Sequence, residues 1–256
     1  MRAVGIIPAR LGSSRFPNKP LAPILGMPMV GHCFHRTRLA VGGENTFVAT
    51  CDIAIADYVR SIDGQVVMTS ADHDRATGRV AEVVSLLEAD GGERIDAVAM
   101  VQGDEPLVAP ETVQRALGCL DDPEVQIANV VYSSSDLAII GDPNNVKVVV
   151  DRCGDALYFS RAAIPAAWNS ESGFSALIQT GVIVFRREAL LGFDELDESE
   201  LERIESIDMN RVLEHGGRIR TLLSDVPLIG VDTPAELALV EGRLTDDPVY
   251  PLYAEQ

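Results

Sequence analysis

The chain has 256 residues, of which 46% are hydrophobic, and a formal net charge of −18. This length suits one large domain with a full core, and no apolar run reaches the 18 residues that a membrane-spanning helix needs. So acidic a chain is not expected to bind nucleic acid, and it needs local cations to hold an anionic substrate.

The cysteines and the N-terminal sequence indicate the cellular compartment of the protein. The four cysteines are irregularly spaced and form no C-x-x-C pair, so free thiols are predicted instead of a zinc site or a disulfide framework. The N-terminus enters an apolar strand pattern at once, without a secretory signal. We therefore expect a soluble, cytoplasmic protein with one domain at 1–245 and a loosely attached tail at 246–256.

Strand and helix patterns alternate along the first half of the chain. The predicted strands are Val4–Ile7, Thr46–Thr50, Gln65–Met68 and Ala97–Val101. The predicted helices are Met29–Leu39, Ile53–Ser61, Arg79–Glu88 and Pro110–Leu120. This alternation predicts an α/β fold with a mostly parallel sheet and helices on both of its faces.

The second half is predicted to be less regular. Its strand patterns are Ile127–Tyr132, Val146–Val150, Ala156–Ser160, Gly181–Arg186, Ile219–Leu223 and Pro227–Ile229. Its helical patterns are Glu198–His215 and Pro234–Leu244. The short connections between the middle strands predict a smaller mixed or antiparallel lobe at about 130–190.

A basic loop follows the first predicted strand. Its small residues let the backbone approach a ligand and turn N–H groups toward it; they are Ala9, Gly12, Ser13 and Ser14. Its cations are Arg10, Arg15 and Lys19, and Lys19 is one of two lysines in the chain. The loop matches neither the P-loop nor the dinucleotide fingerprint. It predicts a polyphosphate site, with a merely basic surface loop as the alternative.

Two carboxylates occupy similar positions after apolar segments. Asp104 follows the predicted strand Ala97–Val101, and Asp232 lies within Ile229–Leu237. Open α/β sheets bind ligands at the carboxyl ends of their strands. Each aspartate could instead belong to a turn or a helix cap. Beside a triphosphate pocket, however, a carboxylate pair makes a Mg²⁺ site chemically sensible.

The segment Ile6–Val30, IIPARLGSSRFPNKPLAPILGMPMV, closely resembles the N-terminal signature of the CMP-Kdo synthetases, or 3-deoxy-manno-octulosonate cytidylyltransferases. Further matches follow in the family's order at Ala71–His73, Val101–Pro106, Asn145–Asp151, Ala156–Pro165 and Gly230–Leu237. The resemblance implies a GT-A-like nucleotidyltransferase fold. It also implies Mg²⁺-dependent transfer of CMP from CTP to an anionic acceptor, with release of pyrophosphate. It further implies a homodimer formed through the middle lobe, around Tyr158–Pro165.

The resemblance also implies roles for the basic loop and the two carboxylates. Asp104 and Asp232 match the positions that hold Mg²⁺ in the family. Arg10, Arg15 and Lys19 would neutralise the β- and γ-phosphates as pyrophosphate leaves. We therefore expect Arg10, Lys19, Asp104 and Asp232 to be the catalytic residues.

Base recognition in the family uses a segment resembling S-G-T-D/E-R, which corresponds to Arg75–Arg79 here. Thr77 and Arg79 match this pattern, and Ala76 is small enough to keep backbone contact with a cytosine. Gln102 matches a family glutamine beside the metal aspartate and is expected to contact the ribose or the acceptor.

The acceptor side departs from the family pattern. Gln179 stands where the family has histidine, Asp208 and Met209 stand where it has Glu-Gln, and Arg75 replaces a serine. Arg75, Gln102, Gln179 and Asp208 are the candidate acceptor-binding residues. The departures leave two acceptors open, namely a Kdo-type sugar acid and a small phosphonate resembling phosphonoformate.

Two further function classes remain alternatives at this point. A GT-A glycosyltransferase would share the fold, but no D-x-D stands at the strand end that carries Asp104. A nucleotide-binding module without turnover would not need both the carboxylate pair and the loop cations. Release of pyrophosphate, as opposed to a nucleoside diphosphate, separates a cytidylyltransferase from both.

Overall fold

The computed structural model describes residues 1–12, 16–89, 91–169 and 173–254. Its strands in chain order are β1 Ala3–Pro8, β2 Pro23–Ile24, β3 Met27–Pro28, β4 Thr46–Thr50, β5 Gln65–Met68, β6 Ala97–Val101, β7 Ile127–Ser134, β8 Lys147–Val150, β9 Ala156–Ser160, β10 Ala176–Arg186 and β11 Arg220–Leu223. Its helices are α1 Met29–Val41, α2 Ile53–Ser61, α3 Ala76–Ala89, α4 Pro110–Gly118, α5 Leu137–Gly141, α6 Arg187–Leu191, α7 Glu200–Glu205, α8 Met209–Glu214 and α9 Pro234–Leu244.

Nine of the described strands form one mixed sheet. Its order is β11-β7-β10-β6-β1-β4-β5, with β8 paired to β10 and β9 paired to β8. The strands β6, β1, β4 and β5 are parallel neighbours, whereas β10 runs antiparallel to β6, β7 and β8. The predicted parallel first half and mixed middle lobe are confirmed. Strands β2 and β3 form a separate small antiparallel pair.

Helices cover both faces of this sheet. One apolar cluster joins α1, α2 and α4 to one face, and another joins α3, α6 and α8 to the opposite face. All five residues of β6 are fully buried between them, as a central strand with two covered faces requires. Because β1 and β6 are parallel neighbours, their carboxyl ends open at the same edge of the sheet.

Three predicted elements differ from the observed ones. The strand predicted at Gly181–Arg186 begins earlier, at Ala176. A register shift between Gln179 and Ile183 interrupts the alternating pattern, so the pattern did not reveal the first part of the strand. The predicted helix at Glu198–His215 is two short helices, because Ser206 takes a left-handed conformation between them. Pro227–Ile229 is not a strand.

The prediction of a loosely attached tail is wrong. Tyr253 is 1% exposed, and its hydroxyl accepts a hydrogen bond from Arg36 Nε at 3.0 Å and lies 3.0 Å from His32 Nδ1. Asp247 forms an ion pair with Arg36 at 2.5 Å. Arg36 is almost fully buried in α1, and a buried guanidinium needs such partners to offset its loss of hydration.

The search for membrane-crossing helices gives a negative result. Within the described ranges, each helix lacks either the length or the apolar character that crossing a bilayer would require.

Candidate active site

A cavity of about 360 Å³ opens at the strand edge where β1 and β6 end. The predicted site residues that line it are Ala9, Arg10, Gly12, Lys19, Arg75, Ala76, Arg79, Gln102, Asp104 and Asp232. Segments far apart in the sequence therefore meet in one concave site, with cations and carboxylates facing each other. Ser13 and Arg15, also predicted to bind phosphate, lie outside the described residues.

The backbone of the basic loop is held by the neighbouring strand end. The N–H of Ala9 donates to the carbonyl oxygen of Ala49 at 2.9 Å, which extends the parallel pairing beyond β1. The N–H of Leu11 donates to Asp52 Oδ2 at 2.8 Å. These two bonds fix the path of the chain on both sides of Arg10, which lines the cavity.

The loop that carries Asp104 requires a glycine at position 103. The N–H of Gly103 donates to the carbonyl oxygen of Pro8 at 3.3 Å, so the ends of β1 and β6 come close together. A Cβ at position 103 would lie 3.1 Å from that carbonyl oxygen and 3.3 Å from the side chain of Ala9. The close approach places Asp104 beside the basic loop.

Lys19 joins the two predicted metal carboxylates. Its Nζ lies 2.7 Å from Asp104 Oδ2 and 2.9 Å from Asp232 Oδ1. The N–H of Val231 donates to the carbonyl oxygen of Asp104 at 2.9 Å, so the backbone also holds the two segments together. Burial lowers the pKa of Lys19, but the charges and hydrogen bonds of Asp104 and Asp232 outweigh burial and raise the pKa above 10.5.

The helix cap considered for Asp232 belongs to the next residue. Thr233 Oγ1 accepts from the N–H of Glu236 at 3.3 Å, and the Glu236 carboxylate accepts from the N–H of Thr233 at 2.8 Å. This reciprocal arrangement is a capping box, and Pro234 follows it at the first position of α9. The side chain of Asp232 therefore faces Lys19 while its neighbour caps the helix.

Glu105 is a supporting residue that the sequence interpretation did not include. It is 4% exposed, and its Oε1 accepts from the N–H of Gly181 at 2.6 Å. Burial, together with the charge of Asp104, raises the pKa of Glu105 to about 8. A Cβ at Gly181 would lie 2.8 Å from Gln102 Cβ, so β10 needs glycine where it meets this loop. The only sequence feature that could have pointed to Glu105 is its position directly after Asp104.

Arg79 presents a donor to the cavity that it lines. The residue is 3% exposed, and its Nη1 donates to Thr69 Oγ1 and, at 3.2 Å, to the carbonyl oxygen of Ser70. Its Nη2 is buried without a hydrogen-bond partner among the described residues. Buried guanidinium donors are normally paired, so this nitrogen is a candidate donor for an acceptor atom of a ligand.

The side chain of Thr77 is directed away from the cavity. Thr77 is fully buried, and its Oγ1 donates to Asp208 Oδ2 at 2.7 Å. In the first turn of α3, Ala76 and Arg79 line the cavity, whereas Thr77 packs toward the segment that leads into α8. Thr77 and Asp208 are not among the described residues that line the cavity, so their predicted ligand contacts remain predictions.

Arg75 lines the cavity, but its guanidinium has protein partners. Its Nε lies 3.5 Å from Glu202 Oε1, and its Nη1 donates to Ser206 Oγ at 3.0 Å. Glu202 is fully buried and also binds Arg211 through both carboxylate oxygens, at 2.6 and 2.8 Å. Arg75 therefore links the segment that was predicted to recognise the base to the α7–α8 turn.

Two positions at which the acceptor side departs from the family pattern lie within the packed structure. Gln179 Nε2 donates to Asn129 Oδ1 at 2.8 Å at the register shift between β10 and β7. Met209 is fully buried and belongs to the core cluster that packs α8 on the sheet. Neither is among the described residues that line the cavity.

His73 lines the cavity, although the sequence predicted no site role for it beyond its place in the matching motif Ala71–His73. Its Nε2 lies 2.6 Å from Glu82 Oε2, which also accepts from the N–H of Ser70 at 2.9 Å. Glu82 on α3 thereby fixes the turn that carries His73 along the rim of the site.

The donor set of the carboxylate pair suits Mg²⁺. Asp104 and Asp232 both reach a single cation, the Lys19 ammonium, so their oxygens can both reach one metal ion. Within the described ranges, no group of three or more His, Cys, Asp or Glu residues could hold a metal. Mg²⁺ commonly takes one or two carboxylates and completes its shell with phosphate oxygens and waters.

Comparison with known proteins identifies the family. The family model described as cytidylyltransferase matches residues 4–219. The chain is 42% identical to the 3-deoxy-manno-octulosonate cytidylyltransferase of Syntrophobacter fumaroxidans, over 97% of this chain and 99% of the relative. It is 38% identical to the 8-amino-3,8-dideoxy-manno-octulosonate cytidylyltransferase of Shewanella pealeana, over 96% and 100% of the two chains.

A solved structure agrees with these relatives. The CMP:2-keto-3-deoxy-manno-octonic acid synthetase complexed with CTP is 37% identical and superposes with a TM-score of 0.86, over 96% of this chain and 99% of that one. The predicted α/β nucleotidyltransferase fold is thereby confirmed. The chain belongs to the cytidylyltransferase family.

Proposed function

We propose that this protein transfers CMP from CTP to a Kdo-type sugar acid and releases pyrophosphate. The observation that carries the proposal is one cavity that is lined both by Lys19, Asp104 and Asp232, joined by ion pairs, and by Arg79, whose buried Nη2 has no hydrogen-bond partner among the described residues. The relatives named above support it, because their names specify cytidylyl transfer to octulosonate acids.

The cavity offers a pyrimidine nucleotide complementary groups. Arg79 Nη2 is a buried donor for a base acceptor such as the O2 or N3 of cytosine, and the small side chain of Ala76 leaves room for the ring. Arg10 and Lys19 supply positive charge for the phosphates. Because the chain as a whole carries −18, these local cations have to provide the attraction.

The proposed reaction is an in-line displacement at the α-phosphorus of CTP. The acceptor hydroxyl loses its proton to solvent as its oxygen forms a bond to the α-phosphorus, the bond from that phosphorus to the α–β bridging oxygen breaks, and its electron pair leaves with pyrophosphate. Arg10 and Lys19 stabilise the charge on the leaving group, and the residues that line the cavity position the reactants. Asp104 and Asp232 would hold Mg²⁺, which would polarise the α-phosphate and orient the attacking oxygen.

A sugar acid is the better-supported acceptor. The phosphonate alternative depended on Arg75 as an added cation, but its guanidinium is paired with Glu202, so less positive charge faces the cavity. The relatives that cover nearly the whole chain carry the names of octulosonate enzymes. Phosphonoformate is therefore the competing substrate in the test below.

The test is a pyrophosphate-release assay on the purified full chain. CTP, UTP, ATP and GTP are each supplied with Mg²⁺ and with Kdo, 8-amino-Kdo or phosphonoformate. We expect pyrophosphate only with CTP and a sugar acid. Turnover of phosphonoformate alone would overturn the proposal that the acceptor is a sugar acid. Release of a nucleoside diphosphate would indicate a glycosyltransferase, and nucleotide binding without turnover would indicate a binding module.

We also propose a homodimer formed through the middle lobe around Tyr158–Pro165. In support, Leu157 is 62% exposed and Trp168 is 91% exposed on this lobe. Large exposed apolar side chains are common at protein interfaces. Sedimentation equilibrium at micromolar concentration should give the mass of a dimer. A monomer mass for the wild type would contradict the proposal, and Trp168→Asp should weaken the dimer.

A further inference from the structure

The Lys19 ammonium lies between the two carboxylates proposed to hold Mg²⁺. Its Nζ is within hydrogen-bond distance of both, at 2.7 and 2.9 Å. A Mg²⁺ ion would bind carboxylate oxygens at about 2.0–2.1 Å. The ammonium and the ion therefore compete for the same oxygens, because two cations so close together repel strongly.

We propose that Lys19 is an exchangeable partner of the metal-binding pair. It would neutralise Asp104 and Asp232 until the nucleotide arrives, and then transfer to the triphosphate as Mg²⁺ takes the carboxylates. This inference rests on the proposed function, since it takes the pair as the metal site. It follows that Mg²⁺ alone binds weakly, whereas Mg²⁺ with CTP supplies both a replacement cation and a new anionic partner for the lysine.

The backbone around Lys19 allows this exchange through side-chain rotation alone. Lys19 begins a short 3₁₀ helix, Lys19–Leu21, and its carbonyl oxygen accepts from the N–H of Ala22 at 3.0 Å. Its own N–H donates to the carbonyl oxygen of Phe16 at 3.2 Å, and Pro20 is buried. With the main chain fixed, the flexible four-carbon stem can carry the ammonium from the carboxylates into the cavity that Lys19 also lines.

The carboxylate pair does not depend on Lys19 for its position. The bond from the N–H of Val231 to the carbonyl oxygen of Asp104, at 2.9 Å, joins their segments through the main chain. The capping box of Thr233 and Glu236 fixes the chain on the other side of Asp232. When the lysine leaves, the pair stays in place and can receive a metal ion.

The first experiment measures Mn²⁺ binding without nucleotide, from the electron paramagnetic resonance signal of the free ion. Lys19→Met keeps the length of the side chain and removes its charge. We expect this variant to bind Mn²⁺ at least about tenfold more tightly than wild type, because the competing charge-assisted bonds are gone. Arg10→Met is the matched control, since it removes a cation from the same cavity, and it should stay within about threefold of wild type.

A double variant tests whether the gain in Mn²⁺ affinity arises at the carboxylate pair. Adding Asp104→Asn to Lys19→Met should return Mn²⁺ affinity to wild-type level or below. The proposal is overturned if Lys19→Met binds Mn²⁺ no more tightly than wild type. It is also overturned if Arg10→Met gains as much, because the effect would then be a general change in the field of the cavity.

The second experiment uses the wild-type chain and is decisive if Lys19→Met does not fold. The sequence contains two lysines, Lys19 and Lys147, so ¹³Cε-labelled lysine gives two readily separated NMR signals. Mg²⁺ alone should leave the Lys19 signal in place, and Mg²⁺ with CTP should shift it while Lys147 stays constant. An equal shift with Mg²⁺ alone would refute the exchange. A lack of pyrophosphate release by the wild type would instead refute the proposed function, and neither lysine experiment measures that.

Discussion

The two lysines of the chain occupy contrasting sites. Lys19 bridges two carboxylates in the cavity, and its side chain keeps 12% of its exposure. Lys147 is fully buried in the middle lobe, where its Nζ donates to the carbonyl oxygens of Asp142, Asn145 and Arg161 at 2.9, 2.6 and 2.6 Å. Both ammonium groups are well bonded, but only the partners of Lys19 carry charge.

The difference in partners separates a functional cation from a structural one. The carboxylates raise the pKa of Lys19, whereas burial lowers the pKa of Lys147. The partners of Lys147 are neutral carbonyl oxygens of the main chain, which attract a competing cation less strongly than carboxylates do. We therefore expect Lys147 to stay in place. Carboxylates can exchange one cation for another, so Lys19 can take part in a binding cycle. Six substitutions test this contrast.

The largest effect is expected from the carboxylates that distinguish the two sites. Asp104→Asn and Asp232→Asn should each lower turnover by at least about two orders of magnitude, because each removes a charged metal ligand. Pyrophosphate release at limiting Mg²⁺ measures this. Asp74→Asn is the matched control, since Asp74 lines the same cavity, and it should change turnover by less than about threefold. A near-normal rate in either of the first two variants would remove that residue from the metal site.

Lys147→Met should mainly lower stability. It leaves three partly buried carbonyl oxygens without their donor, which costs on the order of 2–4 kcal/mol in the free energy of unfolding. Lys19→Met should cost about 1 kcal/mol or less, and Mg²⁺ should restore that loss. Urea denaturation with and without Mg²⁺ measures both. A Mg²⁺-dependent recovery of Lys147→Met would break the contrast between the two sites.

Lys19→Ala should weaken CTP much more than CMP. The lysine is proposed to meet the β- and γ-phosphates, which CMP lacks, so CTP should lose about tenfold or more in affinity and CMP less than threefold. Calorimetric titration with each nucleotide measures the two losses. Equal losses would place the ammonium away from the terminal phosphates in the bound complex.

The smallest effect is expected at Arg75, a cation that already has a buried anionic partner. Arg75→Ser removes its contacts with Glu202 and Ser206, and should lower kcat/KM for Kdo by about tenfold or less, with CTP affinity nearly unchanged. Competition between Kdo and phosphonoformate at fixed CTP measures it in both proteins. A wild-type preference for phosphonoformate that the substitution abolishes would restore Arg75 as a direct acceptor contact.

The sequence predicted the position of Asp104 after β6 because that position follows from local patterns. A buried strand, a glycine and an aspartate are sufficient to place Asp104 at the sheet edge. The basic loop after β1 has to open at the same edge, since the two strands are parallel neighbours. The meeting of the loop that carries Lys19 with Asp104 therefore follows from the topology, whereas Asp232 follows a segment that is not a strand.

The remaining features depend on which side chains face each other across the fold. Thr77 and Asp208 are 131 residues apart, and no local pattern predicts that their side chains bond to each other. The same holds for Arg75 with Glu202, whose pairing redirects a cation that the sequence alone assigned to the acceptor. Ser206 is not a glycine, so its left-handed conformation, which divides the predicted helix, gave no composition signal.

The docked tail affects when α1 can finish folding while a ribosome is still making the protein. His32 and Tyr253 are 221 residues apart, so at about 5–20 residues per second α1 emerges roughly ten to forty seconds before its last partner. Until then, Arg36 lacks both Asp247 and the Tyr253 hydroxyl. The first helix therefore completes its burial only after Tyr253 has been synthesised. A nascent chain stalled before Asp247 should expose α1 to chaperones and proteases.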